Sequence, residues 1–193
     1  MAATALLLTG CSQVGAAATI GGTKITQATV QGSIDSILAE RAKVDTTQMK
    51  LETGESLNRG QLRFHLLSAL LLAVGTELKL KVTKAEIDTR RASILNQVGG
   101  AAALPKALVN AGIAPADLDT YIEAISISDK ISQALVAGGV AQAQVGTELQ
   151  KLVVAKAKEL GVTVNPRYGK WDPKVADVVA SDSASSAVTP SGN

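Results

Sequence analysis

The chain has 193 residues, of which 46% are hydrophobic and only 2% aromatic. This length suits one domain with its own core, and the composition is too apolar for a chain that is disordered throughout. The 19 Lys and Arg against 17 Asp and Glu leave a formal net charge of +2, which excludes a nucleic-acid binder that acts through bulk charge. One Cys and one His are too few for a disulfide scaffold, a zinc cluster or a Cys–His catalytic pair, and they leave a Ser–His–Asp triad short of candidates. The sequence therefore indicates no catalytic constellation, no metal and no cofactor.

The chain opens with an uncharged segment typical of the end of a bacterial export signal. Residues 1–23 lack charged side chains, and the apolar stretch Ala2–Leu8 leads into Leu8-Thr9-Gly10-Cys11. These four residues match the lipobox, in which cleavage before the Cys is followed by attachment of a diacylglycerol to the thiol. We therefore expect residues 1–10 to be a signal peptide, Cys11 to be lipidated, and residues 11–17 to form a tether.

Two features qualify this interpretation of the start. No Lys or Arg precedes Cys11, so we expect the signal to begin upstream of Met1; the alternative is a short apolar N-terminus with a buried Cys. The other hydrophobic block, Leu66–Gly75, is well short of the ~20 residues needed to cross a bilayer. The sequence thus predicts an extracytoplasmic protein that is anchored to the bacterial cell membrane by lipid rather than by a membrane span.

The first half of the body predicts a β-hairpin followed by two helices. Short β-type runs flank Gly21-Gly22, a pair that favours a tight turn. Thr26 is a candidate N-cap for a helix over residues 27–43, and residues 44–57 are polar enough for a surface loop. Asn58 and Gln61 resemble a capping box that opens the longest helix, over residues 58–81, which we expect to be central and the most buried.

The second half predicts four more helices, a strand and a tail. Thr83 and Glu86 form a clear capping box for the third helix, whose apolar positions we expect to point inward: Ile87, Ile94, Leu95 and Val98. Further helices are expected over residues 103–111, from Pro115 to Gly138-Gly139, and over 141–160. Val162-Thr163-Val164 alternates like a strand, and we expect it to pair with the early hairpin. Residues 173–193 are rich in Ser and Ala, and we expect a disordered tail there.

This order of parts resembles the SurA/PrsA family of extracytoplasmic chaperones. The stretches that carry the resemblance are Ala18-Thr19-Ile20-Gly21-Gly22-Thr23-Lys24-Ile25-Thr26, Leu80-Lys81-Val82-Thr83-Lys84-Ala85-Glu86-Ile87, Ala111-Gly112-Ile113-Ala114-Pro115-Ala116-Asp117-Leu118, and residues 162–172. The resemblance implies a SurA N-terminal-like helical domain of five to six helices over residues 18–172, with the short N-terminal β-hairpin paired to a C-terminal strand. It also implies a chaperone that cradles unfolded exported polypeptide.

Many members of this family insert a parvulin-type prolyl isomerase domain, for which the helices over residues 27–160 leave no room. The isomerase site of the family depends on histidines and a Cys or Asp, whereas His65 is the single His of this chain. We expect His65 to be a helix-surface or core-edge residue. Arg167, Tyr168 and Trp171 cluster near the end of the domain, where they form either a peptide-contact surface or, as we favour, a structural closure of the fold.

Three functions remain open on this evidence. The leading expectation is a non-catalytic, lipid-anchored chaperone-like protein that binds unfolded or exported polypeptides in a groove between helices. The alternatives are a peptidyl-prolyl isomerase of the same family and a structural envelope lipoprotein with one dedicated partner. A broad concave apolar surface favours many clients, and a flat surface favours one partner.

Overall fold

The computed structural model describes residues 14–181 and has a mainly α fold, as the sequence predicts. Three 3₁₀ turns, at Pro115–Asp117, Gln142–Gln144 and Pro166–Tyr168, complete the connections. In chain order the elements are β1 Ala16–Ile20, β2 Thr23–Thr26, α1 Gln27–Arg41, α2 Gly54–Glu77, α3 Lys84–Val98, α4 Leu104–Ala111, α5 Leu118–Ala137, α6 Val145–Leu160, β3 Val162–Val164, β4 Lys170–Asp172 and β5 Asp177–Val179.

A three-stranded antiparallel sheet joins the two ends of the described chain. The strand order is β2-β1-β3, with Ala18 opposite Ile25 on one side and opposite Val164 on the other. Gly21 and Gly22 form the hairpin turn with φ of 54° and 80°, and the Gly21 amide donates to the Leu160 carbonyl at the end of α6. The predicted pairing of the late strand with the early hairpin is confirmed.

The helix boundaries follow local capping chemistry. Thr26 accepts a hydrogen bond from the Thr29 amide at 2.9 Å, and Thr83 and Glu86 form the predicted capping box of α3. The capping box predicted at Asn58 and Gln61 is wrong, because α2 begins four residues earlier, at Gly54. There the Ser56 hydroxyl lies 3.2 Å from the Thr53 amide and caps the helix.

The C-terminus of α2 also differs from the prediction. The helix ends at Glu77 rather than near Lys81. Lys79 adopts a left-handed φ of 57°, and the Leu80 amide donates to the Gly75 carbonyl at 2.8 Å. This backbone reversal turns the chain away from α2 before α3 begins.

The largest hydrophobic cluster, called here the main core, lies between the sheet and helices α1, α2 and α6. As predicted, α2 is its central helix. Besides residues of the sheet and of α6, the buried side chains of the main core include, from α1 and α2, Val30, Ile34, Ile37, Leu57, Leu62, Leu66 and Leu70. Further along α2, a Cβ on Gly75 would lie 2.9 Å from Ile127, so the glycine permits the close approach of α5.

A second, smaller cluster, called here the groove cluster, holds α3, α4 and α5 together. Its buried side chains are Leu108, Leu118 and Ile122. The apolar residues of α3 predicted to point inward are only half-buried, and no residue of this helix is fully buried. The helix packs on α5 and α4 and has one side open to solvent.

The prediction of a disordered tail is wrong for its first part. Strand β5 pairs with β4, placing Val178 opposite Trp171, and Ala176 and Val178 are buried in the main core. Arg63 on α2 pairs with Asp177 at 3.0 Å. The domain boundary predicted after Asp172 is therefore too early, and the rest of the predicted tail, residues 182–193, lies outside the described residues.

Candidate functional site

The residues singled out in the sequence do not come together in one site. The lipidation candidate Cys11 lies outside the described residues. Tyr168 is 6% exposed and belongs to the main core, Trp171 is half-buried against the same core, and Arg167 is exposed. A buried Tyr168 offers no surface to a peptide, so its assignment as a peptide contact is wrong. Its placement supports the alternative in which these residues close the fold.

The structure has instead an apolar groove where α3, α4 and α5 meet, called here the α3–α5 groove. Its volume is about 350 Å³, which lies at the lower end of the range for ligand pockets. Its apolar lining includes Ile94, Val98, Leu104, Ile113, Tyr121 and Ile125. These side chains come from three helices and the turn after α4, so the groove depends on how those helices are held.

Two glycine-containing turns place the walls of the groove. After α3, Gly99 has a φ of 93° and the Gly100 amide donates to the Leu95 carbonyl at 2.7 Å. After α4, Gly112 has a φ of 66° and the Ile113 amide donates to the Leu108 carbonyl at 3.0 Å. Both are left-handed helix ends that glycine adopts without strain. They reverse the chain, so that α4 packs back on α3 and Ile113 reaches the groove.

The polar side of α3 faces α5 across a second depression, of about 560 Å³. Its charges are neutralised in pairs, with Arg90 3.2 Å from Asp129 and Lys130 2.6 Å from Glu86. The Lys130 ammonium and the amide and hydroxyl of Thr83 lower the pKa of Glu86 to about 2. Because each cation already has an anionic partner, this depression favours fastening α3 to α5 over ligand binding.

A polar cluster that the sequence did not predict joins three elements beside the main core. Ser33 of α1 is 6% exposed, and its hydroxyl donates to the Asp117 carboxylate at 2.6 Å. The His65 Nε2 atom lies 3.0 Å from the same hydroxyl. Because the single hydroxyl proton is donated to Asp117, we assign His65 Nε2–H as the donor to the Ser33 oxygen. Burial lowers the pKa of His65, and the nearby Asp117 charge opposes this shift.

This arrangement differs from a nucleophilic triad. In a triad the imidazole lies between serine and carboxylate and accepts the serine proton. Here the serine lies between the other two groups, and the Ser33 hydroxyl also lies 3.3 Å from the Thr29 carbonyl. The geometry satisfies buried polar groups and ties α1, α2 and the turn before α5 together.

His65 fits the predicted core-edge position, but its two partners carried no signal in the sequence. Ser33 lies 32 residues from His65, and Asp117 lies 84 residues from Ser33, so only the tertiary fold brings them together. In the range 14–181 no group of His, Cys, Asp and Glu is placed to hold a metal ion. The same range contains no helix with the length and apolarity to cross a membrane.

Comparison of the chain with protein-family models, with curated proteins and with solved structures finds no match. Functional inference therefore depends on the geometry of the surfaces described here. Of these, the α3–α5 groove combines apolar side chains from Ile94, Leu104 and Tyr121 with an open side. It is the candidate binding site of the described chain.

Proposed function

We propose that this protein is a non-catalytic, lipid-anchored, extracytoplasmic chaperone-like protein that binds apolar segments of unfolded or exported polypeptides. The α3–α5 groove is the observation that carries the proposal. It is concave and lined largely by aliphatic side chains. One of its walls is helix α3, in which no residue is fully buried. Apolar burial is non-directional, so such a surface accepts many sequences.

The size of the groove sets the strength of binding. A volume of about 350 Å³ accommodates only a few apolar side chains. Burial of roughly 200 Å² of apolar surface contributes about 5 kcal/mol before the cost of ordering the bound segment is subtracted. The resulting affinity is weak and reversible, which suits a protein that holds an unfolded chain and releases it.

The chemistry of the polar groups supports a non-catalytic role. Lowering the ~20 kcal/mol barrier of prolyl isomerisation requires groups positioned around a twisted amide. In the cluster of Ser33, His65 and Asp117, the serine is buried and its proton is held by a carboxylate. His65 and Asp117 are both hydrogen-bonded to Ser33, and none of the three residues lines the α3–α5 groove.

The anchoring part of the proposal depends on Leu8-Thr9-Gly10-Cys11. Two acyl chains on Cys11, each contributing ~0.8 kcal/mol per buried CH₂, would hold the protein stably at the membrane. The chain with its native signal should then partition into a detergent phase, and Cys11→Ala should remain in the aqueous phase or uncleaved. Equal partition of the two proteins would contradict the lipid anchor without bearing on the groove.

The groove is tested by an aggregation assay with a denatured client protein. Ile94→Glu places a charge in the groove at a half-buried position, and it should reduce the suppression of aggregation several-fold. Leu38→Glu is the matched control, because Leu38 is 48% exposed on α1 and does not line the groove. Thermal unfolding followed by circular dichroism establishes that both variants are folded.

Two results would overturn this function. Suppression that is equal in the wild type and Ile94→Glu would remove the groove from the proposal. Absence of suppression by the wild type would favour a lipoprotein with one dedicated partner. A proline-limited refolding assay on the same preparation completes the test, since acceleration that disappears in His65→Gln would contradict the non-catalytic role.

A further inference from the structure

The outer face of α6 has a second apolar depression, and its charged lining is entirely cationic. The depression measures about 510 Å³, and Val154 and Ala155 are among its lining residues. Lys151, Lys158 and Lys174 stand around it, and no carboxylate is among its lining residues. It shares no lining residue with the α3–α5 groove.

Two of the three cations of this face have no carboxylate partner among residues 14–181. Lys151 pairs with Glu148 at 2.8 Å, whereas Lys158 and Lys174 form no ion pair with a carboxylate of residues 14–181. Lys158 lies in the last turn of α6, where the helix dipole favours a cation. That explanation does not extend to Lys174, which lies in the turn between β4 and β5.

The turn that contributes Lys174 is held on α6 by a specific contact. The Gln150 side-chain amide donates to the Val175 carbonyl at 2.5 Å. The next residue, Ala176, has a left-handed φ of 51° although it is not glycine, and its side chain is buried. Val175, between Lys174 and Ala176, is 48% exposed.

We propose that this face of α6, called here the α6 face, binds an acidic amphipathic segment of a partner polypeptide. Val154, Ala155 and Val175 would contact its apolar side chains, and Lys158 and Lys174 would pair with its carboxylates. The depression extends from Gly146 to Lys158, which at ~1.5 Å per residue is about 18 Å, or about three helical turns. This binding is independent of the proposed groove.

The test is fluorescence anisotropy of the full chain with two labelled peptides. Both carry Leu at helical spacing over about four turns, with Glu on the flanks of one and Lys on the flanks of the other. The Glu peptide should bind about tenfold more tightly than the Lys peptide at low salt, and added salt should reduce this difference. Lys158→Gln with Lys174→Gln should remove most of the discrimination.

The matched control is Lys50→Gln with Lys106→Gln, which changes the net charge equally at exposed lysines outside the face. This control should keep the preference, and Val175→Ser should weaken both peptides by a few-fold. Equal affinity for the two peptides, or equal loss in the control, would overturn the proposal. So would binding to phosphatidylglycerol vesicles that needs Lys158 and Lys174 while the Glu peptide does not bind.

Discussion

The main core and the groove cluster are built from different amounts of buried apolar surface. The main core encloses the sheet and the inner sides of α1, α2 and α6, with fully buried leucines at positions 62, 66 and 70. The groove cluster buries Leu108, Leu118 and Ile122, and α3 contributes only half-buried residues. Since apolar burial is the main stabilising term, the fold depends on the first region and leaves the second able to adjust.

The ion pairs of α3 do not make up this difference. Arg90 with Asp129 and Lys130 with Glu86 fasten the helix to α5, but these side chains are substantially exposed. Exposed pairs contribute about 0–1 kcal/mol each. The helix that forms one wall of the α3–α5 groove is therefore held weakly, which suits a groove that accepts different apolar segments.

The largest expected effect is on stability, where truncation to alanine should cost more in the main core than in the groove cluster. Leu66→Ala, in the middle of α2 and fully buried, should lower the free energy of unfolding by about 3–5 kcal/mol, because it leaves a cavity in close-packed surroundings. Ile94→Ala, at a half-buried position on α3, should cost about 1 kcal/mol. Urea denaturation measures both values. Equal losses would show that the groove cluster is as tightly packed as the main core.

The next effect concerns the C-terminal hairpin, part of which lies in the segment predicted to be a disordered tail. Val178 is buried between the hairpin and α2, so Val178→Ala should cost about 2 kcal/mol in the same measurement. Val175→Ala is the control, because Val175 is about half-exposed, and it should change the stability by less than 0.5 kcal/mol. If both substitutions were neutral, β5 would not belong to the main core.

Strand β5 also shows which parts of the fold could be predicted from the sequence and which could not. The helices and the β1–β3 pairing were predictable because their signals are local or strongly periodic, as in the capping box of Thr83 and Glu86. Strand β5 has three residues, too few for the alternation of buried and exposed positions to stand out from a Ser- and Ala-rich composition. Its burial is decided by the contact with α2, which is remote in sequence.

The candidate site was not predictable for a related reason. The apolar residues of α3 were identified, but their incomplete burial depends on the absence of a helix on the outer side of α3 within the described chain. Sequence periodicity identifies an apolar face without showing whether another element covers it. In the same way, Ser33, His65 and Asp117 meet through the tertiary fold alone.

A smaller effect is expected from pH at the edge of the main core. Burial lowers the pKa of His65 below its ordinary value of 6.5, so the unfolded chain binds more protons than the folded one as the pH falls through this region. The contribution of neutral His65 to the free energy of unfolding is therefore fully present above pH 6.5. It is lost as the pH falls from 6.5 to the lower pKa of the folded state. The slope of the free energy of unfolding against pH cannot exceed that for the uptake of one proton.

His65→Gln isolates this contribution, because glutamine keeps a donor for Ser33 and does not titrate. The difference in unfolding free energy between the wild type and His65→Gln should begin to change as the pH falls through 6.5, the ordinary pKa of His. Asp117 faces the imidazole, and its charge opposes the shift. A difference that is constant with pH would show that the Asp117 charge offsets the effect of burial.

The smallest expected effect is a gain in stability at the link between the two regions. Lys79 follows α2 with a left-handed φ of 57°, a conformation that costs a non-glycine residue about 1 kcal/mol. Its side chain is exposed, so Lys79→Gly removes the strain without loss of packing and should stabilise the protein by about 0.5–1 kcal/mol. Lys79→Ala removes the same side chain and keeps the strain, and it should leave the stability nearly unchanged. Hydrogen exchange then locates the gain: the amides at the end of α2 should exchange more slowly in Lys79→Gly, whereas those of α3 should not change, because the groove cluster is held by its own contacts. Equal slowing in both helices would mean that the main core and the groove cluster open together as one unit.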